Sequence, residues 1–277
     1  MASIQPPTRS HPEDHRETDL LHYIYQLPNL DDLRGRPDKV LEAIDKYDTE
    51  EKQLINVGPE KGDLIAALIA ERKPSVMVEL GAYVGYSAIK FGDAVRRAGG
   101  QKYLSFEINP VNAAVSKVLI ELAGLQDFVR VTIAPSHVSI AQLVRDSTVD
   151  YLEFFFVDHW KDRYVPDIWL VEQLGLLRAG KSVVVADNVS HSRSTDYARW
   201  MQASSTEKRA ILDQHTFTND WEGAELAKVL REKGLQDTCV DLENVPGKPD
   251  FRYDTTIHEF AKPDGRIDGV AISFVAG

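Results

Sequence analysis

Apolar residues in this chain gather into short unbroken runs separated by stretches with a helical repeat. The run Tyr151-Leu-Glu-Phe-Phe-Phe-Val157 is aromatic and apolar enough to be a strand covered on both faces, as in a parallel sheet. It closes on Asp158, His159, Trp160 and Lys161. Ser182-Val-Val-Val-Ala186 repeats the pattern and closes on Asp187 and Asn188. Shorter runs from Val76, up to Glu107 and over 129–133 read as three more strands. Helical patterns fill 86–97, 110–122 and 139–146. Strand and helix alternating in this way predict an α/β fold with a doubly wound parallel sheet. Ahead of it, residues 19–33 suggest a helix broken near Pro28. Residues 37–49 give a clear amphipathic helix with Val40, Leu41, Ile44 and Tyr47 on one face. A loop over 56–62 then opens a helix over 63–72. Val270-Ala-Ile272 and Phe274 read as a last, antiparallel strand. Residues 1–18, polar and holding Pro6, Pro7 and Pro12, are expected to be a disordered tail.

Composition narrows the function classes. The chain has 277 residues, 43% hydrophobic and 27% charged, enough for one α/β domain with a large core. A formal charge of −11 disfavours nucleic acid or an anionic membrane as partner. The one cysteine, Cys239, leaves no intramolecular disulfide and fits a reducing compartment. No apolar run has the length of a signal core or a membrane span. A soluble, cytoplasmic protein acting on a small molecule, as a monomer, is the expectation.

The chemistry lies where strands end, since open α/β sheets bind ligands beyond the carboxyl ends of their strands. Asp158 with Asp187 and Asn188, on neighbouring strands, would offer three hard oxygen ligands suited to magnesium. Taken singly, either aspartate could instead cap a helix. Glu79-Leu-Gly81-Ala-Tyr83-Val-Gly85 is a second candidate loop, in which Gly81 and Gly85 permit a tight turn and close approach to a ligand. Its spacing departs from the G-x-G-x-x-G of dinucleotide sites, which argues against a nicotinamide-dependent oxidoreductase. Glu79 could attract an amine, and Glu107 could accept hydrogen bonds from ribose hydroxyls. Ser136 and His137 follow the strand over 129–133.

Several of these segments together are similar to the catechol O-methyltransferase family. They are Val40-Leu-Glu-Ala-Ile-Asp45, Asn56-Val-Gly58, Glu79-Leu-Gly-Ala-Tyr83, Glu107-Ile-Asn109, Ala123-Gly-Leu-Gln-Asp127, Asp158-His-Trp-Lys-Asp-Arg-Tyr164 and Ala186-Asp-Asn188. The resemblance covers about 38–190 and resumes near Pro246. It implies the class I methyltransferase fold, a Rossmann-like, seven-stranded, mostly parallel sheet. It also implies S-adenosylmethionine and a magnesium ion as cofactors, and a vicinal diphenol as substrate. On this resemblance Val57, Glu79, Gly81, Tyr83, Ser87, Glu107, Ile108, Ser136, His137, Asp158 and Trp160 would hold the cofactor. Asp158, Asp187 and Asn188 would hold magnesium. Lys161 matches the general base, which can take a proton only in its neutral form. Glu259 matches the acid that accepts a hydrogen bond from the second hydroxyl. Asp158, Lys161, Asn188, Glu259 and Pro246 would face the substrate, Pro246 as an apolar wall.

Departures from the family bear on substrate choice. Gln53 and Ile55 stand where it has an aromatic residue and a methionine, and His137 replaces a glutamine. About 190–245 is an insertion with helical patterns, such as 221–233, within a single domain over 19–277. It could be a lid, an oligomer contact or an inert addition. Other readings of the chain are a related caffeoyl-coenzyme-A type enzyme, an O-methyltransferase for another phenol and an inactive methyltransferase-like binding protein.

Overall fold

The computed structural model describes residues 15–190, 194–215, 245–262 and 265–276. The residues 1–14 of the expected tail, the helical pattern over 221–233 and Cys239 lie outside them. At the N-terminus the helix begins earlier than expected. α1 spans Arg16–Tyr25 and a short α2 spans Leu30–Leu33, with Pro28 between them. α3 (Pro37–Glu50) buries the expected face. α4 (Gly58–Arg72) begins inside the predicted loop. Pro59 suits a first helical turn, where its missing N–H has no intrahelical partner to lose.

The strand–helix alternation follows: β1 (Val76–Leu80), α5 (Tyr86–Arg97), β2 (Lys102–Glu107), α6 (Pro110–Leu122), β3 (Val129–Ile133), α7 (Ser136–Arg145), β4 (Phe154–Val157), α8 (Tyr164–Gln173) and β5 (Val183–Ala186). α9 (Thr195–Gln202) and α10 (Ser205–Gln214) precede β6 (Arg252–Ala261) and β7 (Ile267–Ala276). Among the described residues these strands form one seven-stranded sheet in the order β3-β2-β1-β4-β5-β7-β6. β1 to β5 are mutually parallel, and β7 joins β5 antiparallel, with Val185 opposite Ile272. β6 was not foreseen. It is an edge strand whose residues are half-buried or exposed throughout, so it carries no apolar run.

β4 and β5 are wholly buried, because one apolar layer covers each face of the sheet. Phe154, Phe156, Val183 and Val185 join the layer under α3 to α6, while Phe155, Val157, Val184 and Ala186 join the layer under α7 to α9. Period-2 alternation thus supplies both cores from the same strands. The residues directly after β4 and β5 are delivered between these layers, at the carboxyl edge of the sheet.

The described part of the insertion is built into the second layer. Tyr197, Trp200 and Met201 of α9 are buried, and Trp200 meets Trp169 edge-on at 5.2 Å. Buried Glu172 of α8 accepts hydrogen bonds from Trp200 Nε1 at 3.0 Å, the Tyr253 hydroxyl at 2.6 Å and the Lys248 backbone at 2.7 Å. These contacts exclude the reading of α9 as an inert surface addition. Trp200→Ala should lower the unfolding free energy by about 3–5 kcal/mol in denaturant titrations. An unchanged midpoint would remove α9 from the folding core.

Candidate active site

Asp158 follows β4 and Asp187 follows β5, and their strands pair in register through Val157 and Ala186. The two acids therefore share one edge. Asp187 is buried and its carboxyl is pushed up to about 7, first by burial and then by the charge of Asp158. Lys61 of α4 works against that shift, its Nζ lying 2.7 Å from both Asp187 oxygens and 2.9 Å from Asp268. Burial opposes the charge on Lys61, but Asp187, Asp158 and Asp268 outweigh it and hold the ammonium protonated. Asp268, at the start of β7, is held well below the usual carboxylate range despite its burial, by Lys61, Lys262 and Asn188.

Asn188 takes a left-handed backbone conformation at φ +55°, uncommon outside glycine and concentrated at sites held by their surroundings. Its amide nitrogen donates to Asp268 Oδ2 at 2.8 Å, so its oxygen is the atom left to face a ligand. Lys161 Nζ donates to Asp158 Oδ1 at 3.0 Å and to the Tyr164 hydroxyl at 2.6 Å. Thus Asp158, Lys161, Asp187 and Asn188 lie together at the carboxyl edge of β4 and β5. Lys61 and Asp268 were missed. The signal for Lys61 is its place on the stripe it shares with Ile65 and Ile69, both buried. For Asp268 it is an acid entering an otherwise apolar strand.

The donor set fits a hard divalent cation, being two carboxylates and an amide oxygen. The excess negative charge that raises Asp187 is what such an ion would neutralise. Among the described residues no group of three or more His, Cys, Asp or Glu side chains is arranged to hold a metal.

Glu259 reaches the same edge, opposite Gly269, but is exposed. Among the described residues, the acid joined to Asn188 is Asp268 rather than Glu259. The Pro246 carbonyl accepts from the Gln173 side chain of α8 at 2.6 Å, and Gly247 beside it packs against Trp169 and Trp200.

On the β1 side, a Cβ at Gly81 would run into the Asp158 carbonyl, and the residue has φ +99°. Glycine is required there by the neighbouring loop, rather than by approach to a ligand. Tyr83 has φ +47° and its backbone N–H donates to Glu107 at 2.9 Å. The other Glu107 oxygen accepts from the Asn109 backbone at 2.8 Å, and the Ile108 and Ala82 backbones also donate to this carboxyl, so the acid braces the loop. Val57 and Ser87 are buried beside this loop's layer, and Ser136 and His137 open α7. Ile108 and Trp160 are 42% and 40% exposed, unusual for such side chains and suited to covering a flat ring.

The comparisons with known proteins agree with this geometry. The O-methyltransferase family model matches residues 38–200, more than half of the chain. The chain belongs to the O-methyltransferase family. Mouse catechol O-methyltransferase is 44% identical over 172 residues, 62% of this chain and 64% of that one. The cattle enzyme is 41% identical over 173 residues, 62% of each chain. The chain thus spans less than two thirds of these relatives' length. A Bacillus cereus O-methyltransferase solved with SAH shares the fold, with a TM-score of 0.55 at 19% identity over 87% of this chain and 91% of that one. No helix among the described residues of this O-methyltransferase family member is long and apolar enough to cross a membrane.

Glu79 is fully buried and its two oxygens accept from the Ser87 and Ser105 hydroxyls, so it meets α5 and β2 rather than open space. Burial pushes its carboxyl up to about 7 against the pull of those hydroxyls. The unfolded carboxyl loses its proton near 4.5, so between there and about 7 the native state binds more protons and stability falls as pH rises. Glu79→Gln should remove this penalty, a difference of about 3 kcal/mol across the window. Denaturant unfolding of both proteins from pH 4 to 8 checks it, and parallel stability curves would contradict it.

Proposed function

We propose that this protein transfers a methyl group from S-adenosylmethionine to one hydroxyl of a vicinal diphenol, with a magnesium ion. The reading is carried by the convergence of Asp158, Lys161, Asp187 and Asn188 on one edge of the sheet, in a chain 44% identical to a catechol O-methyltransferase over its matched part. Asp158, Asp187 and Asn188 would hold magnesium, which when bound favours the ionised form of a neighbouring hydroxyl. S-adenosylmethionine supplies an electrophilic methyl group. Glu107 would bind its ribose, and Ile108 and Trp160 would cover its adenine, with Val57, Tyr83, Ser87, Ser136 and His137 lining the remainder. Glu79 and Gly81 would act from behind, by fixing the loop.

Lys161 would take the hydroxyl proton onto Nζ as the oxygen–carbon bond forms and the sulfur–carbon bond breaks, a role its contact with Asp158 supports. Positioning contributes the greater share, because aligned reactants avoid about 7–11 kcal/mol of the barrier in well-oriented systems. Glu259, on the same edge, would accept from the second hydroxyl. Exposed Gln53 and Ile55 would form the outer wall. We place the protein in the cytoplasm, on its single cysteine.

Incubation with S-adenosylmethionine, catechol and magnesium should give a mono-methylated product by mass spectrometry, and chelation should abolish it. Lys161→Ala should lower kcat by roughly 10²–10⁴-fold, the range for a lost general base. Methylation that persists undiminished under chelation would remove the metal from this account. Cofactor binding without methylation of any vicinal diphenol would remove the diphenol.

A further inference from the structure

Lys161 can serve as a base only if its lone pair is directed at the substrate, and the residues behind it decide where that lone pair points. A neutral amine has two N–H bonds and one lone pair. Lys161 has two acceptors within hydrogen-bond reach, Asp158 Oδ1 at 3.0 Å and the Tyr164 oxygen at 2.6 Å. A hydroxyl can ordinarily donate as well as accept, and a Tyr164 hydroxyl that donated to Lys161 would consume the lone pair. The structure prevents this. Tyr164 lies 3.0 Å from the backbone carbonyl of Asp187, which has no hydrogen to give, so the phenol must donate there and can only accept from Lys161.

The geometry points to Tyr164 as a positioning residue that fixes the polarity of the chain Lys161 N–H to Tyr164 O–H to Asp187 C=O, leaving the Lys161 lone pair for the substrate hydroxyl. Tyr164 is fully buried, with its ring stacked on His159 at 5.3 Å and met edge-on by Tyr197 at 5.5 Å. Tyr197 belongs to α9, so the insertion takes part in holding the base. Ser194, just before α9, donates to the Asn188 carbonyl at 2.7 Å and anchors the same turn.

This inference rests on the proposed methyl transfer, and its test separates the two. The full chain is assayed with S-adenosylmethionine, magnesium and catechol as wild type, Tyr164→Phe, Lys161→Ala and the double variant. Tyr164→Phe keeps the ring between His159 and Tyr197. It should lower kcat about tenfold or more, the scale of a lost supporting hydrogen bond. The KM for catechol and the calorimetric Kd for S-adenosylhomocysteine should stay unchanged. In the Lys161→Ala background the same substitution should cost nothing further, because Tyr164 acts through Lys161. A Tyr164→4-aminophenylalanine variant can still donate to the Asp187 carbonyl but is a poor acceptor. Its thermal midpoint should return toward wild type while kcat stays low. Unchanged kcat in Tyr164→Phe, an equal loss in both backgrounds, or kcat restored together with stability would overturn the assignment and leave the methyl transfer standing. A wild type that methylates nothing would overturn the proposed function and this inference with it.

Discussion

Burying the carboxylate of Asp187 is the constraint to which the rest of the site responds. β5 is an unbroken apolar strand between two core layers, so the residue that follows it is carried into the interior. A carboxylate there costs several kcal/mol unless it is compensated. Two lysines answer it, Lys61 from α4 by direct contact and Lys161 from the loop after β4 by its charge, while Asp268 of β7 shares Lys61. Compensation is incomplete, because Asp158 adds a second negative charge from β4. That unbalanced charge, in a set of hard oxygen donors, is what the proposed magnesium ion would neutralise.

The β1 side obeys a different constraint, that of backbone packing. Its loop and the loop after β4 approach so closely that only glycine fits at residue 81, and Glu107 ties the loop down from β2. Glu79 lies behind this wall rather than in front of it. The face proposed for the cofactor is therefore backbone and apolar side chains braced by buried acids, while the face proposed for the metal is made of the acids themselves.

The fold was legible because buried parallel strands are apolar throughout and helices declare themselves by period. The helices over 86–97 and 110–122 match their observed bounds for this reason. β6 escaped because it is an edge strand with one face near solvent, so its sequence carries no apolar run. That Asp158, Asp187 and Asn188 stand at strand ends was legible because both strands before them are apolar throughout. Lys61 and Asp268 were not, since an isolated lysine or aspartate is ordinarily solvated, and only tertiary packing joins them.

Magnesium titrated into the full chain in a calorimeter, with S-adenosylhomocysteine and catechol present, tests the central claim most directly. The account predicts one ion per chain in the wild type and loss of that binding in Asp187→Asn. Absence of binding by the wild type at millimolar magnesium, or equal binding by the variant, would contradict it.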